Sequence, residues 1–192
     1  MQKAELREKG LKARNSLDAA EREAKSAAIC SRIIQTPEYA AAKTILLYSF
    51  IRSEVQLSAL AETGKKAGKT IAYPICLAEG QMLAACSNAW QKGPYGILEP
   101  DLQQGRVIDP REIDLVICPC VAFDEQCRRI GMGAGYYDAF LPRLRPDASV
   151  WAAAYEIQKV DAIPADPWDI RMHRVYTESN VYRFAEENSV LT

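Results

Sequence analysis

Histidine is almost missing: the 192 residues contain one, His173. Six cysteines stand at 30, 76, 86, 118, 120 and 127, but no two form a C-x-x-C pair, and Cys118-Pro119-Cys120 is too tight for a zinc knuckle. A structural zinc held by Cys and His is therefore excluded. Long hydrophobic runs are also lacking. Thr44-Ile45-Leu46-Leu47-Tyr48 and Leu115-Val116-Ile117-Cys118 fall far short of the roughly 20 residues that span a bilayer, so no membrane is expected. Nor does charge of one sign dominate. Lys+Arg number 24 against Asp+Glu 25, a formal net charge of -1, so no global basic field recruits nucleic acid and any anion must be held locally. There is no internal repeat and no Gly/Ser linker, and residues 1–192 are expected to form a single domain. The first dozen residues include Lys3, Glu5, Arg7, Glu8, Lys9 and Lys12. They do not read as a secretory leader, so reduced thiols and a cytoplasmic location are expected. Nothing points to an obligate protein partner; the expected partners are small molecules.

What is present is ample core material, 48% hydrophobic with 26% charged residues. The first forty residues read as helix, with Asp18 and Glu21 as a capping box for a second helix running toward Ile33 and Ile34, ended by Pro37. Thr44 to Phe50 reads as a strand, followed by a helix around Leu57, Leu60 and Ala61 that stops near Gly64 and Gly68. Further strands are expected at Lys69 to Tyr73, closed by Pro74, and at Met82 to Cys86, Ile113 to Cys118, Val150 to Tyr155 and Arg174 to Thr177. Ala134 to Leu144 reads as a helix. The alternation predicts an α/β fold, a three-layer α/β/α sandwich with a mostly parallel, Rossmann-like open sheet. In such sheets ligands bind beyond the carboxyl ends of the strands, which singles out the loops after Phe50 and Phe123.

The richest segment is Arg128-Arg129-Ile130-Gly131-Met132-Gly133-Ala134-Gly135-Tyr136-Tyr137-Asp138. Glycines at alternate positions let a ligand approach the backbone, and their N–H groups can cradle a phosphate. Arg129 adds a planar donor fork. The spacing is neither G-x-G-x-x-G nor a Walker loop, so the pattern alone gives an anion-binding loop or a Gly-rich turn with packed aromatics.

This loop, with Asp114 to Pro119 and Ala122-Phe123-Asp124 before it, resembles the signature of the 5-formyltetrahydrofolate cyclo-ligase family. Further marks are Lys3-x-x-Leu6-Arg7 with Arg14, Tyr48 to Glu54, Pro94 to Pro100, and Asp169 to Glu178. The resemblance implies ATP- and Mg²⁺-dependent closure of 5-formyltetrahydrofolate to 5,10-methenyltetrahydrofolate. It assigns ATP to Lys3, Arg7, Arg129, Ile130, Gly131, Met132, Gly133, Ala134, Gly135, Tyr136 and Tyr137. The folate falls to Ser49, Glu54 and the loop from Met132 to Tyr136, catalysis to Arg129 and Tyr136, and Mg²⁺ to Asp138 and Asp169. Tyr95 reads either as stacking on the ligand or as core or rim packing. Three positions depart from the family pattern: Cys127 stands for a usual glycine, Ile75 for a common basic residue, and His173 for a frequent acid. Beside the two arginines, Cys127 reads either as a packed cysteine or as a reactive thiol. The competing readings are a non-catalytic phosphate-ligand sensor, a sugar-phosphate isomerase or acyl-CoA transferase relative, and a cyclo-ligase paralogue acting on another N-acyl substrate.

Overall fold

The computed structural model describes residues 2–93 and 96–184. In chain order, α1 (Lys3–Ser16), α2 (Ala19–Ile34) and α3 (Pro37–Ala41) precede β1 (Thr44–Leu46). Then come α4 (Ser58–Lys66), β2 (Thr70–Cys76), β3 (Met82–Ser87), the antiparallel pair β4 (Trp90–Lys92) and β5 (Leu98–Pro100), and β6 (Gly105–Ile108). β7 (Leu115–Pro119) leads into a short ribbon, β8 (Ala122–Phe123) with β9 (Arg129–Ile130), and α5 (Tyr136–Phe140). β10 (Ser149–Ala153), β11 (Arg174–Tyr176) and β12 (Val181–Arg183) complete it.

One sheet runs in the order β12-β11-β10-β7-β1-β2-β3-β6. Neighbours from β11 through β2 are parallel, whereas β12, β3 and β6 pair antiparallel. Alternation explains why its centre reads as unbroken apolar sequence. Ile45, Leu47, Leu115, Ile117, Trp151 and Ala153 face one side, packed with Ile29 and Ile33 of α2, Tyr39 of α3 and Leu60 of α4. Leu46, Val116, Cys118, Val150 and Ala152 face the other, with Phe140 and Leu141. Strands buried on both faces need no polar positions, and each large side chain so buried contributes roughly 1.5–3 kcal/mol. The helices on both faces make the α/β sandwich expected from the sequence. A satellite cluster, Leu6 with Ala122, Ile130, Val160 and Ile163, seats α1 against the ribbon.

The capping box is as expected: Glu21 N donates to Asp18 Oδ1 (2.8 Å) and Asp18 N to Glu21 Oε2 (2.9 Å). Several boundaries are corrected. α2 ends at Ile34, and Pro37 opens α3 instead, behind the N-cap Thr36. Gly64 lies inside α4; Gly68, at φ +74°, closes it, with Lys69 N donating to Gly64 O (2.9 Å) and Gly68 N to Lys65 O (3.0 Å). Pro74 does not end β2, which runs on to Cys76 beside β3. It ends the pairing with β1. Leu47 N donates to Ala72 O (2.9 Å), so the next parallel bond would require an N–H at residue 74, which proline lacks. β1 accordingly stops at Leu46, and 47–50 continue without a ladder. The helix expected over Ala134 to Leu144 is only α5, followed by a 3₁₀ turn at Leu141–Arg143 around Pro142. Among the described residues no helix is long and apolar enough to cross a membrane.

Candidate active site

The parallel strands follow the doubly wound pattern in which the chain leaves the centre in both directions. The reversal falls between β1 and β7, where such sheets open a crevice at their carboxyl ends. The loops after these two strands flank it, and α1 lies across them. Lys3, Arg7, Gly10 and Arg14 recur at three- and four-residue spacing, which puts them on one face of α1. Gly10 is what allows the approach: a Cβ there would stand 2.3 Å from Val121 O. Arg7 Nε donates to Gly131 O (2.8 Å), and its guanidinium covers Gly133.

Beyond β9 the Gly-rich loop is exposed. Gly133 (φ +102°) and Gly135 (φ +73°) take backbone conformations that disfavour a side chain. Among the described residues, no N–H from Gly131 to Gly135 donates to a protein acceptor. Ile130 is buried under α1, while Met132 is 59% exposed. Arg129 lies beneath the loop with its side chain 4% exposed; Nη2 reaches Asp138 Oδ1 (3.3 Å), and Nε is left without a partner. Its guanidinium stands 5.6 Å from the Tyr137 ring, and Tyr137 Oη is also buried without a partner. Burial pushes this phenol well above its ordinary pKa, so it stays protonated. Tyr136 Oη donates to Leu77 O (3.2 Å), tying the loop to the end of β2.

The loop after β1 borders a cleft of about 480 Å³, lined by Tyr48, Ser49, Phe50, Ile51, Leu57, Ser58, Tyr73, Trp90, Gly96 and Leu98. Tyr73 and Trp90 meet edge to face there at 4.8 Å. Ser49 Oγ is buried without a hydrogen-bond partner. Glu54, 9% exposed, is joined to the cleft through Ile51, whose N–H donates to Glu54 Oε2 (3.1 Å). Burial raises the Glu54 carboxyl above its ordinary pKa, opposed by the Ile51 N–H and by Arg14, whose Nη1 is 3.8 Å from Oε1. Tyr95 lies outside the described residues.

The two expected metal acids share one neighbourhood. Asp138 Oδ1 accepts from Ile170 N (3.4 Å), the residue after Asp169. Asp169 Oδ2 accepts from Asp166 N (2.8 Å) and pairs with Lys3 Nζ, which also bonds Asp166 Oδ2 (2.7 Å). Burial alone would lower the Lys3 ammonium; its hydrogen bonds to Asp166 and Asp169 outweigh that and raise it. Lys3 therefore faces these carboxylates and not the Gly-rich loop. Among the described residues no group of three or more His, Cys, Asp or Glu side chains gathers as a metal cage. The free oxygens, Asp138 Oδ2 and Asp169 Oδ1, fit a hard cation that keeps several waters and takes its other oxygens from phosphates.

The departures have physical readings. Cys127 sits at φ +57°, the left-handed region where glycine fits without strain, and is fully buried. Burial pushes its thiol up to about 11, which makes it a packed cysteine rather than a reactive one. Ile75 is buried in the β2–β3 ladder. His173 Nδ1 accepts from Val150 N (3.1 Å) and so docks the last segment on β10. Arg14 was visible in the sequence without a role, yet it is 4% exposed and spans both loops, with Nε to Ser53 Oγ (3.1 Å) and Nη1 to Cys120 O (3.3 Å). Its helical spacing from Lys3 and Arg7 is the signal that could have marked it.

Known proteins resemble this chain over nearly its whole length. A 5-formyltetrahydrofolate cyclo-ligase of Escherichia coli K12 is 28% identical over 160 residues, 80% of this chain and 88% of that protein. A probable one from Schizosaccharomyces pombe is 27% identical over 180 residues, 84% of this chain and 87% of its own. The solved 5,10-methenyltetrahydrofolate synthetase of Aquifex aeolicus superposes with a TM-score of 0.85 at 32% identity, covering 100% of this chain and 97% of that one. The Mycoplasma pneumoniae synthetase gives 0.77 at 27% identity, covering 93% and 99%. With the family model matching residues 1–178, the chain belongs to the 5-formyltetrahydrofolate cyclo-ligase family.

Proposed function

We propose that this protein closes 5-formyltetrahydrofolate to 5,10-methenyltetrahydrofolate at the expense of ATP, with ADP and phosphate released. The observation that carries the reading is a set of buried polar atoms left unpaired at the crevice: Ser49 Oγ on one side, Arg129 Nε and Tyr137 Oη on the other, beside five unspent loop amides. Buried polar groups are ordinarily paired, so these are positions that a ligand completes. The aromatic cleft takes the flat pterin, with Ser49 and Glu54 on its polar edge. The Gly-rich loop takes the triphosphate, neutralised by Arg7 and Arg129, with Lys3 at the acids beside it.

A formamide oxygen is a poor leaving group. In the reaction it attacks the γ-phosphorus, the bond to ADP breaks, and N10 then adds to the activated carbon, losing its proton as phosphate departs. Such chemistry asks a protein chiefly for alignment and charge neutralisation. Arg129 does both, its fork fixed by Asp138 and burial, while Tyr136 borders the reacting groups from the loop. Asp138 and Asp169 would hold Mg²⁺, which supplies charge neutralisation on the phosphates. The six unpaired cysteines suit a reducing compartment, the cytoplasm.

The test combines protein, 5-formyltetrahydrofolate, ATP and Mg²⁺ and follows the methenyl chromophore by absorbance. Product should require all four components. Folded protein yielding no ATP-dependent chromophore would exclude the reading.

A further inference from the structure

Arg14 is a cation with almost no access to water, and the Gly-rich loop does not use it. A buried guanidinium is costly unless each part of it is matched, and here two segments match it, Ser53 with Glu54 after β1 and Cys120 after β7. Nε donates to Ser53 Oγ (3.1 Å), Nη1 donates to Cys120 O (3.3 Å), and the same Nη1 stands 3.8 Å from Glu54 Oε1. We propose that Arg14 is a positioning residue for the folate side of the site: it holds the Glu54 carboxylate ionised and fixed beside the cleft after β1. The proposal rests on the folate reading of Glu54 given above.

The surroundings of Glu54 support this division of labour. Tyr48 and Tyr137 bear on it from the end of β1 and from α5, and burial pushes both phenols well above their ordinary pKa. Tyr155 faces the same turn and donates to Glu54 O (3.2 Å). All three are neutral through the physiological range. Among the described residues Arg14 is the charge that opposes the burial of Glu54. Without it the carboxyl takes up its proton at higher pH and turns from a pure acceptor into a partial donor, mismatched to the N–H donors of a pterin.

The experiment uses the full chain. Glu54 is followed by ¹³C NMR of δ-labelled glutamate without ligand, its signal identified by its loss in Glu54→Gln. In Arg14→Gln the titration should move up by about one pH unit or more. The dissociation constants of 5-formyltetrahydrofolate and of a non-hydrolysable ATP analogue are then measured from pH 5.5 to 8.5. Arg14→Gln should weaken the folate most at the acid end of this range, by up to about tenfold for a one-unit shift, and recover as pH rises, because the charged form is the one that binds. Glu54→Gln should be weak at every pH, and the double variant no weaker than Glu54→Gln. Affinity for the analogue should stay within about twofold, since only a general structural role would lower both. An unmoved Glu54 titration, or equal loss of folate and nucleotide, would overturn the proposal. Should Arg14→Gln not fold, Arg14→Lys is read for the same split between the two ligands. Wild-type protein that binds no folate would defeat the folate reading, while the NMR titration still decides what Arg14 does to Glu54.

Discussion

At the scale of single residues, Asp138 and Cys127 make opposite demands. Asp138 is partly exposed and its Oδ1 serves both Arg129 and Ile170, so Asp138→Asn keeps an acceptor of the same size while removing the charge. Turnover should fall at least a hundredfold with circular dichroism unchanged; near-normal rates at limiting Mg²⁺ would remove Asp138 from the phosphate side of the site. Cys127 concerns stability. In an ordinary buried position Ala is tolerated better than Gly, because Gly loosens the unfolded chain. At φ +57° any Cβ carries a penalty of about 1–2 kcal/mol, so the order should invert. Urea unfolding should find Cys127→Gly more stable than Cys127→Ala by about 1 kcal/mol. The ordinary order would mean that the turn relaxes around the side chain.

Among the elements, α1 carries the sharpest expectation. A glycine inside a helix is normally improved by alanine, by about 1 kcal/mol. Gly10→Ala should instead destabilise by about 1–3 kcal/mol, because the new methyl meets Val121 O and α1 must lift. Since Arg7 and Arg14 ride on the same helix, nucleotide and folate affinity should drop together, measured by titration calorimetry. A gain in melting temperature with both affinities intact would show that α1 has room to spare. This close approach was not legible beforehand, because Val121 lies 111 positions away and no local pattern records it. The central strands were legible for the opposite reason: burial on both faces writes itself into consecutive apolar residues. β8 and β9, two residues each, are too short to carry a period, and α5 was overread because the helical spacing from Ala134 to Leu144 ignored Pro142. The Gly-rich loop was readable down to its residues, whereas the direction in which Lys3 points was not.

Across the whole molecule, the six thiols report on cooperativity. Cys30, Cys118, Cys120 and Cys127 are buried, and burial pushes Cys30 and Cys127 up to about 11 and Cys118 and Cys120 to about 12. Cys76 and Cys86 are partly accessible. Iodoacetamide at neutral pH should therefore modify at most these two in the folded protein and all six in urea, as counted by mass spectrometry. Rapid native labelling of Cys118 would reveal opening at the centre of the sheet. α1 also bears on the order of assembly during synthesis. It precedes every strand in the chain, yet its anchors, Val121, Gly131, Asp166 and Asp169, are more than a hundred residues downstream. Arg14 can already meet Ser53 and Glu54 early, but a ribosome must deliver more than a hundred residues beyond the Lys3 to Gly10 part of this helix before that part has anything to hold, and closing so large a loop is slow. Nascent chains cut short of Asp166 leave Lys3 without its carboxylates, so the crevice is completed only once Asp166 and Asp169 have been made.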